Sequence, residues 1–386
     1  MAAETTLYSF PTLLDYGANA VDNLPRWVRE KGGSRVLIVT DPGILDLPLY
    51  GRITRILDDA GLTHHTFSGI SPDPRDSDVH DGAEFLRNHG SDLIVGLGGG
   101  SALDGAKGVA LMSSHTGHVT DYDDAQGGAE RITGPLPPIL AIPTTAGTGS
   151  EVGRSFVVVD TQKNSKLVVF SPRLMPEVAI LDPTLHVGMP PWLTAATGMD
   201  ALTHNVEALL SKGHHPMADA IALGGVRLIG RSLERAFRDA HDLEARGDMA
   251  LAAAMGATAF QKGLGVIHSL AHPCSTVAHV HHGLANGVLI ETGLRFNQDV
   301  SEDALARIAV ELGVAAATPA DAAEQAIAEI VRLRESVAVP SRLREVGVKE
   351  EHLAEMERQA LADACHQCNP KPVTLDDIKA LYAAAY

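Results

Sequence analysis

Leu93-Ile-Val-Gly-Leu97-Gly98-Gly99-Gly100-Ser101-Ala-Leu-Asp104 decides the fold of this chain. Its first five residues form a short, continuous apolar run. Bounded by turn residues, such a run reads as a strand of a parallel sheet, covered on both faces. Three glycines close it, and a helical pattern follows from Ala102 to Met112. A helix start offers unpaired N–H groups and a positive dipole end, and glycine lets a diphosphate approach the backbone closely. The spacing is not the common Gly-x-Gly-x-x-Gly fingerprint, and a plain strand-to-helix turn would use the same residues.

The neighbouring stretches repeat the pattern. Val36-Leu-Ile-Val-Thr40 is a β-branched run between Gly32-Gly33-Ser34 and Asp41-Pro42-Gly43. Pro138-Ile-Leu-Ala-Ile142 runs into the small-residue loop Pro143-Thr144-Thr145-Ala146-Gly147-Thr148-Gly149-Ser150. Tyr50 to Ala60 and Ser77 to Asn88 carry helical spacing between the strands. Strands alternating with helices predict βαβ units and a parallel sheet. Two small-residue loops after separate strands suit a bound dinucleotide at the carboxyl edge of that sheet. Asp41 stands where a carboxylate accepts hydrogen bonds from ribose hydroxyls and repels a 2′-phosphate; an Asp-Pro-Gly turn fits the same residues.

Beyond Asp182, Pro183, Gly188, Pro190 and Pro191 break the pattern. Leu193 to Leu210, Pro216 to His241, Arg246 to Gly263, Ser301 to Leu312 and Pro319 to Val337 are rich in helix formers at core spacing. The reading is an α/β domain over residues 1–185 and an all-helical domain over residues 186–386. Within the second, Asp200 and His204 are four apart, as are His268 and His272. Residues at i and i+4 share one helix face, and a carboxylate with imidazoles makes a divalent-metal donor set. His279, His281 and His282 follow closely, among small and apolar residues. A buried histidine cluster without an ion would need many hydrogen-bond partners. Spacing alone leaves open which three histidines coordinate.

The 386 residues carry a net charge of −17, with 45% hydrophobic and 20% charged residues. Such a surface disfavours nucleic acid, which needs an excess of Lys and Arg, and anionic membranes. No apolar stretch is long enough to span a bilayer, and Met1 to Pro11 lacks the regions of a secretion signal. Three cysteines fit a reducing cytoplasm. Cys365-x-x-Cys368 has neither a second Cys pair nor a βαβ context for a zinc or redox motif.

Taken in order, these segments resemble the iron-containing (group III) alcohol dehydrogenase family. The matching stretches are Gly98 to Lys107, Pro143 to Glu151, Gly198-Met-Asp200-Ala-Leu-Thr-His204 with Glu207, Gly265-Val-Ile-His268-Ser-Leu-Ala-His272-Pro273, His282-Gly283 and Asn369-Pro370. The resemblance implies NAD-linked, metal-dependent hydride transfer on a small primary alcohol, aldehyde or hydroxy acid, in a cleft between the two domains. It implies Fe2+, with Zn2+ in some members, held by Asp200, His204, His268 and His282. His272 then lies near the nicotinamide as a catalytic proton-relay candidate. Cofactor contacts carry over to Asp41, Asp73, Gly99, Gly100, Ser101, Asp104, Thr144, Thr145, Thr148, Lys166 and Leu185. An acid at the position of Asp41 goes with NAD rather than NADP, and members are homodimers or larger. Cys365 resembles a pocket-wall residue of some relatives, with helix packing as its other reading. By position alone, beside the Gly149-Ser150 and His268 motifs, Arg154 and Lys262 are cations that either meet a substrate carboxylate or pair with surface carboxylates. Gly153 departs from the family's usual Thr, and His281 from a common Pro. Two other readings stay in play: a lyase of the dehydroquinate synthase type, which returns the hydride within one cycle, and a non-catalytic metal-binding protein.

Overall fold

The computed structural model describes Phe10, Thr12 to Lys163 and Ser165 to Tyr386. Most of the stretch read for a secretion signal lies outside these residues. The chain forms two compact units, one of Phe10–Thr145 and Gly149–Gly188, the other of Ala146–Thr148 and Met189–Tyr386.

The first unit holds eight strands: β1 (Leu13–Tyr16), β2 (Arg35–Val39), β3 (Thr63–Phe67), β4 (Leu93–Gly98), β5 (Ile139–Pro143), β6 (Ser155–Asp160), β7 (Ser165–Phe170) and β8 (Val178–Leu181). Six of them make an all-parallel sheet in the order β1-β8-β5-β4-β2-β3, while β6 and β7 form a separate antiparallel ribbon. Its helices are α1 (Leu24–Glu30), α2 (Pro42–Leu45), α3 (Pro48–Asp59), α4 (Asp76–His89) and α5 (Gly100–Ser114). Strand periodicity splits the apolar runs between two layers. Val36, Ile38, Val95 and Leu97 pack with Val28 of α1 and Ile53 of α3. Leu37, Val39 and Ile94 pack with Leu86 of α4 and Val109 of α5. Both faces are therefore dry, and each such side chain contributes about 1.5–3 kcal/mol of burial.

The strand order reverses direction between β2 and β4, which are neighbours although β3 lies between them in sequence. Ligands of open α/β sheets sit at the carboxyl ends of strands flanking such a switch point. The loops after β2, β4 and β5 carry Asp41, Gly98 to Ser101 and Thr144-Thr145.

The second unit is helical: α6 (Pro191–Leu210), α7 (Pro216–Arg238), α8 (Leu243–Ala259), α9 (Val266–Ala278), α10 (His282–Asn297), α11 (Glu302–Glu311), α12 (Pro319–Ser336), α13 (Glu350–Ala362) and α14 (Leu375–Ala385). One continuous core runs through it, from Met199 and Leu202 of α6 to Tyr382 of α14. Two features set the elements that matter below. The first N–H groups of α9 have no partner within the helix, and Glu207 and Asn369 supply one. Ile267 N donates to Glu207 Oε1 at 2.7 Å and Val266 N to Asn369 Oδ1 at 3.2 Å. The start of α10 lies so close to α6 that a Cβ on Gly283 would stand 2.3 Å from the Ala196 carbonyl oxygen. Among the described residues no single helix is long and apolar enough to cross a membrane.

Candidate active site

In the helical unit, α6, α9 and α10 bring four side chains together. One donor atom each from Asp200, His204, His268 and His282 lies within 4.8 Å of the others. The i, i+4 spacing puts Asp200 and His204 on one face of α6, and His282 Nε2 approaches Asp200 Oδ1 to 3.5 Å. Asp200, His204 and His268 are buried, and His282 is partly so. Three imidazole nitrogens and a carboxylate oxygen are a fitting donor set for a divalent iron or zinc ion.

The ionisation states agree with that chemistry. Burial works to raise the Asp200 carboxyl, but His204, His282 and His268 outweigh it and hold it down to about 2. Burial pushes His204 down to about 4 and His282 well below its ordinary value. The carboxylate is therefore charged and these two imidazoles neutral at neutral pH, as metal ligands must be. For His268, burial is outweighed by the hydrogen bond and charge of Glu207, which raise it. His268 Nδ1 lies 2.6 Å from Glu207 Oε2. A carboxylate on one ring nitrogen fixes the tautomer and leaves Nε2 with its lone pair toward the cluster. Asn286, one turn beyond His282 and fully buried, closes the group. Its Nδ2 donates to Asp200 Oδ1 at 2.7 Å and lies 3.1 Å from His282 Nε2 and 3.4 Å from His268 Nε2. Asn286 could have been found from its i+4 position after His282.

His272 shares α9 with His268, and its ring stacks on that of His282 at 5.2 Å. Its Nδ1 meets Asp363 Oδ2 at 2.7 Å. Asp363 is anchored in turn: its Oδ1 accepts from Ser269 Oγ at 2.7 Å and from Cys365 N at 2.8 Å. Burial alone would raise the Asp363 carboxyl, yet the hydrogen bond and charge of His272 hold it well below the usual range. The result is an imidazole oriented by an ionised carboxylate, with its ring 40% exposed beside the four donors. Nothing in the local sequence around Asp363 signals this contact, which joins residues 91 apart.

The α/β unit gathers the glycine-loop candidates. Asp41 caps α2 by accepting from Gly43 N at 2.9 Å, so the turn reading of Asp-Pro-Gly is realised. The same carboxylate borders the glycine turn, with Oδ2 3.3 Å from where a Cβ on Gly98 would stand. Gly98 has φ 143°, a conformation that favours glycine. Thr144 N donates to the Gly98 carbonyl at 2.9 Å, and Thr145 borders Gly99. Gly100 and Ser101 open α5, and Ser101 Oγ donates to Pro72 O. Asp73 and Lys166 are joined by a 2.6 Å ion pair. Leu185 is buried. Asp104 sits lower in α5 and spends both oxygens on the fold, on Ser150 Oγ at 2.6 Å and Val157 N at 2.9 Å. Thr148 belongs to the helical unit.

Two titratable side chains near these loops, Lys107 and Glu151, are buried. Burial pushes the Lys107 ammonium down to about 8 and the Glu151 carboxyl up to about 7. Because the native pKa of Glu151 exceeds its unfolded value, the native state binds the extra proton between about pH 4.5 and 7. Stability falls through that window as pH rises, by at most ~1.4 kcal/mol per pH unit. Glu151→Gln is expected to raise the melting temperature relative to the parent more at pH 8 than at pH 5. Equal shifts at both pH values, measured by calorimetry, would contradict the assignment.

The remaining candidates make contacts of their own, and Cys365 stands beside Asp363 and His272. Lys262 was placed by sequence to meet a substrate carboxylate, but its ammonium is spent on Leu209 O at 2.9 Å and Asp219 at 2.7 Å, with its side chain 5% exposed. It locks the end of α6 instead. Arg154 lies over the Phe170 ring at 5.5 Å. His279 takes the left-handed conformation that ends α9, and the His281 ring meets Trp192 edge-on. Cys365 and Cys368 are free thiols in one 3-10 turn, Cys365 beside Asp363.

Comparison with known proteins agrees with this arrangement in both units. The profile of a family described as iron-containing alcohol dehydrogenase matches residues 11–183, and that of its C-terminal region matches residues 194–386. A 1,3-propanediol dehydrogenase of Klebsiella pneumoniae is 38% identical over 384 residues, covering 98% of each chain. The crystal structure of a 1,3-propanediol oxidoreductase superposes with a TM-score of 0.95 at 38% identity, covering 99% of this chain and 100% of that one. A sulfoacetaldehyde reductase from Bifidobacterium kashiwanohense, solved in complex with NAD+, gives a TM-score of 0.88 at 27% identity over 99% of both chains. Two adjoining profiles, a relative matched almost end to end and the donor cluster on α6, α9 and α10 lead to one assignment: the chain belongs to the iron-containing alcohol dehydrogenases, oxidoreductases that use NAD and iron.

Proposed function

We propose that the protein interconverts a small primary alcohol or hydroxy acid and its aldehyde, with residues 1–185 as the NAD-binding domain and residues 186–386 as the metal-binding, catalytic domain. The observation that carries this reading is the four-donor cluster, in which burial favours neutral His204 and His282 and Glu207 at Nδ1 leaves Nε2 of His268 facing the other donors. Asp200, His204, His268 and His282 are the metal ligands, and Glu207 orients His268 behind them. When bound, the metal supplies Lewis acidity at the substrate oxygen and NAD accepts or returns the hydride. The loops after β2, β4 and β5 hold the dinucleotide, with Gly99, Gly100 and Ser101 on the diphosphate and Asp41 on the ribose, which favours NAD over NADP.

His272 exchanges the alcohol proton. Its Nδ1 is tied to Asp363, so Nε2 is the nitrogen left for substrate or solvent. His272→Ala is expected to lower kcat about 100-fold while leaving metal content unchanged. Full turnover across pH in that variant would exclude the role. A panel of primary alcohols, diols and ω-hydroxy acids, followed by NADH absorbance with metal content measured on the same sample, tests the whole reading. Net NADH formation separates a dehydrogenase from a lyase that returns its hydride.

We also infer a homodimer and a cytoplasmic location. β1 is an edge strand on which Leu13 and Leu14 are 48% and 47% exposed. An apolar edge of this kind is covered by pairing with a second copy. Sedimentation as a monomer at micromolar concentration would refute it.

A further inference from the structure

A second group of donors stands beside the first and shares none of its residues. His272, Asp363 and Cys365 each place a donor atom within 4.8 Å of the other two. They come from α9 and from the turn after α13, and all three are partly open to solvent. Their chemistry differs from that of the four-donor cluster in one respect. Cys365 adds sulfur, whereas Asp200, His204, His268 and His282 offer only nitrogen and oxygen. A thiolate with an imidazole and a carboxylate suits zinc better than iron(II), because thiolate is a soft ligand and zinc stands higher in the affinity order.

We propose that His272, Asp363 and Cys365 form a second metal site that takes zinc and inhibits the enzyme when filled. Nδ1, the ring nitrogen facing Asp363, is the His272 donor. The ion replaces the hydrogen bond between His272 Nδ1 and Asp363 Oδ2, now 2.7 Å long. That gap must widen by about 0.7 Å to span two donors of a tetrahedral zinc ion. On binding, the Nδ1 proton of His272 gives way to the ion, passing to Nε2 or to solvent, and the Cys365 thiol proton goes to solvent. The widening, and the cost of taking the proton from a thiol beside the Asp363 carboxylate, make this site weaker than the first. Zinc in excess of the first site therefore fills it last. Filling it fixes His272 on the ion and removes its part in turnover; only this inhibitory consequence rests on the role proposed for His272.

The test uses cobalt as a spectroscopic stand-in on the full-length protein. Cobalt(II) bound to a thiolate gives a near-ultraviolet charge-transfer band, which the first donor set cannot produce because it holds no sulfur. The expected result is a band that titrates with one equivalent of cobalt beyond any taken up by the first site. It should be lost in Cys365→Ser and kept in Cys368→Ser. Zinc should displace the band and inhibit wild type and Cys368→Ser, but not Cys365→Ser, each relative to its own zinc-free rate. No band at saturating cobalt, a band surviving Cys365→Ser, or unchanged zinc inhibition of that variant would each overturn the proposal. Asp200→Ala should retain the band, so failure of the four-ligand reading is told apart from failure of this one.

Discussion

Asp200→Ala is expected to strip the purified protein of its metal and to lower kcat/KM about 1,000-fold, the loss of ~4 kcal/mol of transition-state stabilisation. Asp200 is the only anion among the four donors, since the other three are imidazoles. At 2% exposure it is shielded from water, and its neighbours keep it ionised down to about pH 2. Removing it asks three imidazoles to hold a dication in a dry site, where an uncompensated charge is strongly disfavoured. NAD binding should persist, because Asp41, Gly99, Gly100 and Thr145 belong to the other unit. Metal analysis and NADH fluorescence titration on one sample check both halves. Metal retained at the parental stoichiometry would remove Asp200 from the ligand set.

The second large effect comes from a residue with no side chain. Gly283→Ala would place a Cβ 2.3 Å from the Ala196 carbonyl oxygen, 2.8 Å from its carbon and 3.1 Å from Asp200 Cβ. The obstruction is backbone, so no rotamer change relieves it. The start of α10 has to move away from α6, carrying His282 away from Asp200 and His204. Overpacking of this kind costs about 1–3 kcal/mol, and for a unit of this size that corresponds to a melting-temperature drop of about 2–12 °C. A tenfold or greater loss of metal affinity should accompany it. Gly287→Ala is the control: the atoms nearest its Cβ would be side-chain ones, Val339 Cγ1 at 2.9 Å and Met199 Cβ at 3.2 Å. Those can repack, so its metal affinity should stay within a few-fold of wild type. Equal effects in the two variants would contradict the account given of Gly283.

Much of this was legible in the chain. The runs at Val36–Thr40, Leu93–Leu97 and Pro138–Ile142 read as strands because they are buried on both faces, and β2, β4 and β5 occupy those positions within a residue or so. The helices of the second unit announce themselves by composition and breakers, as at Leu193 to Leu210 against α6 at Pro191–Leu210. The ribbon of β6 and β7 escaped notice although its signal is present. Ser155–Asp160 alternates in burial along its length, and Asp160 accepts from Gln162 N and Lys163 N to make the turn. β1 escaped because an exposed edge strand of four residues lacks an apolar run. In the site, Asp200 with His204 and His268 with His272 are local i, i+4 patterns. Their supports are not: Glu207 meets His268 across 61 residues and Asp363 meets His272 across 91. Asn369 reaches α9 from 103 residues away. No window of sequence contains such a pair, and the chemistry of each residue alone is commonplace.

The donors at positions 200, 204, 268 and 282 sit on three helices, α6 being remote along the chain from the adjoining α9 and α10. An ion held among them is a clasp on the helical unit as well as a reagent, since free energy of binding to a native site adds to the free energy of folding. Deprived of iron, a cell would hold this protein with that clasp undone. The open form would then feed proteolysis, so the amount of enzyme as well as its turnover would follow the iron supply.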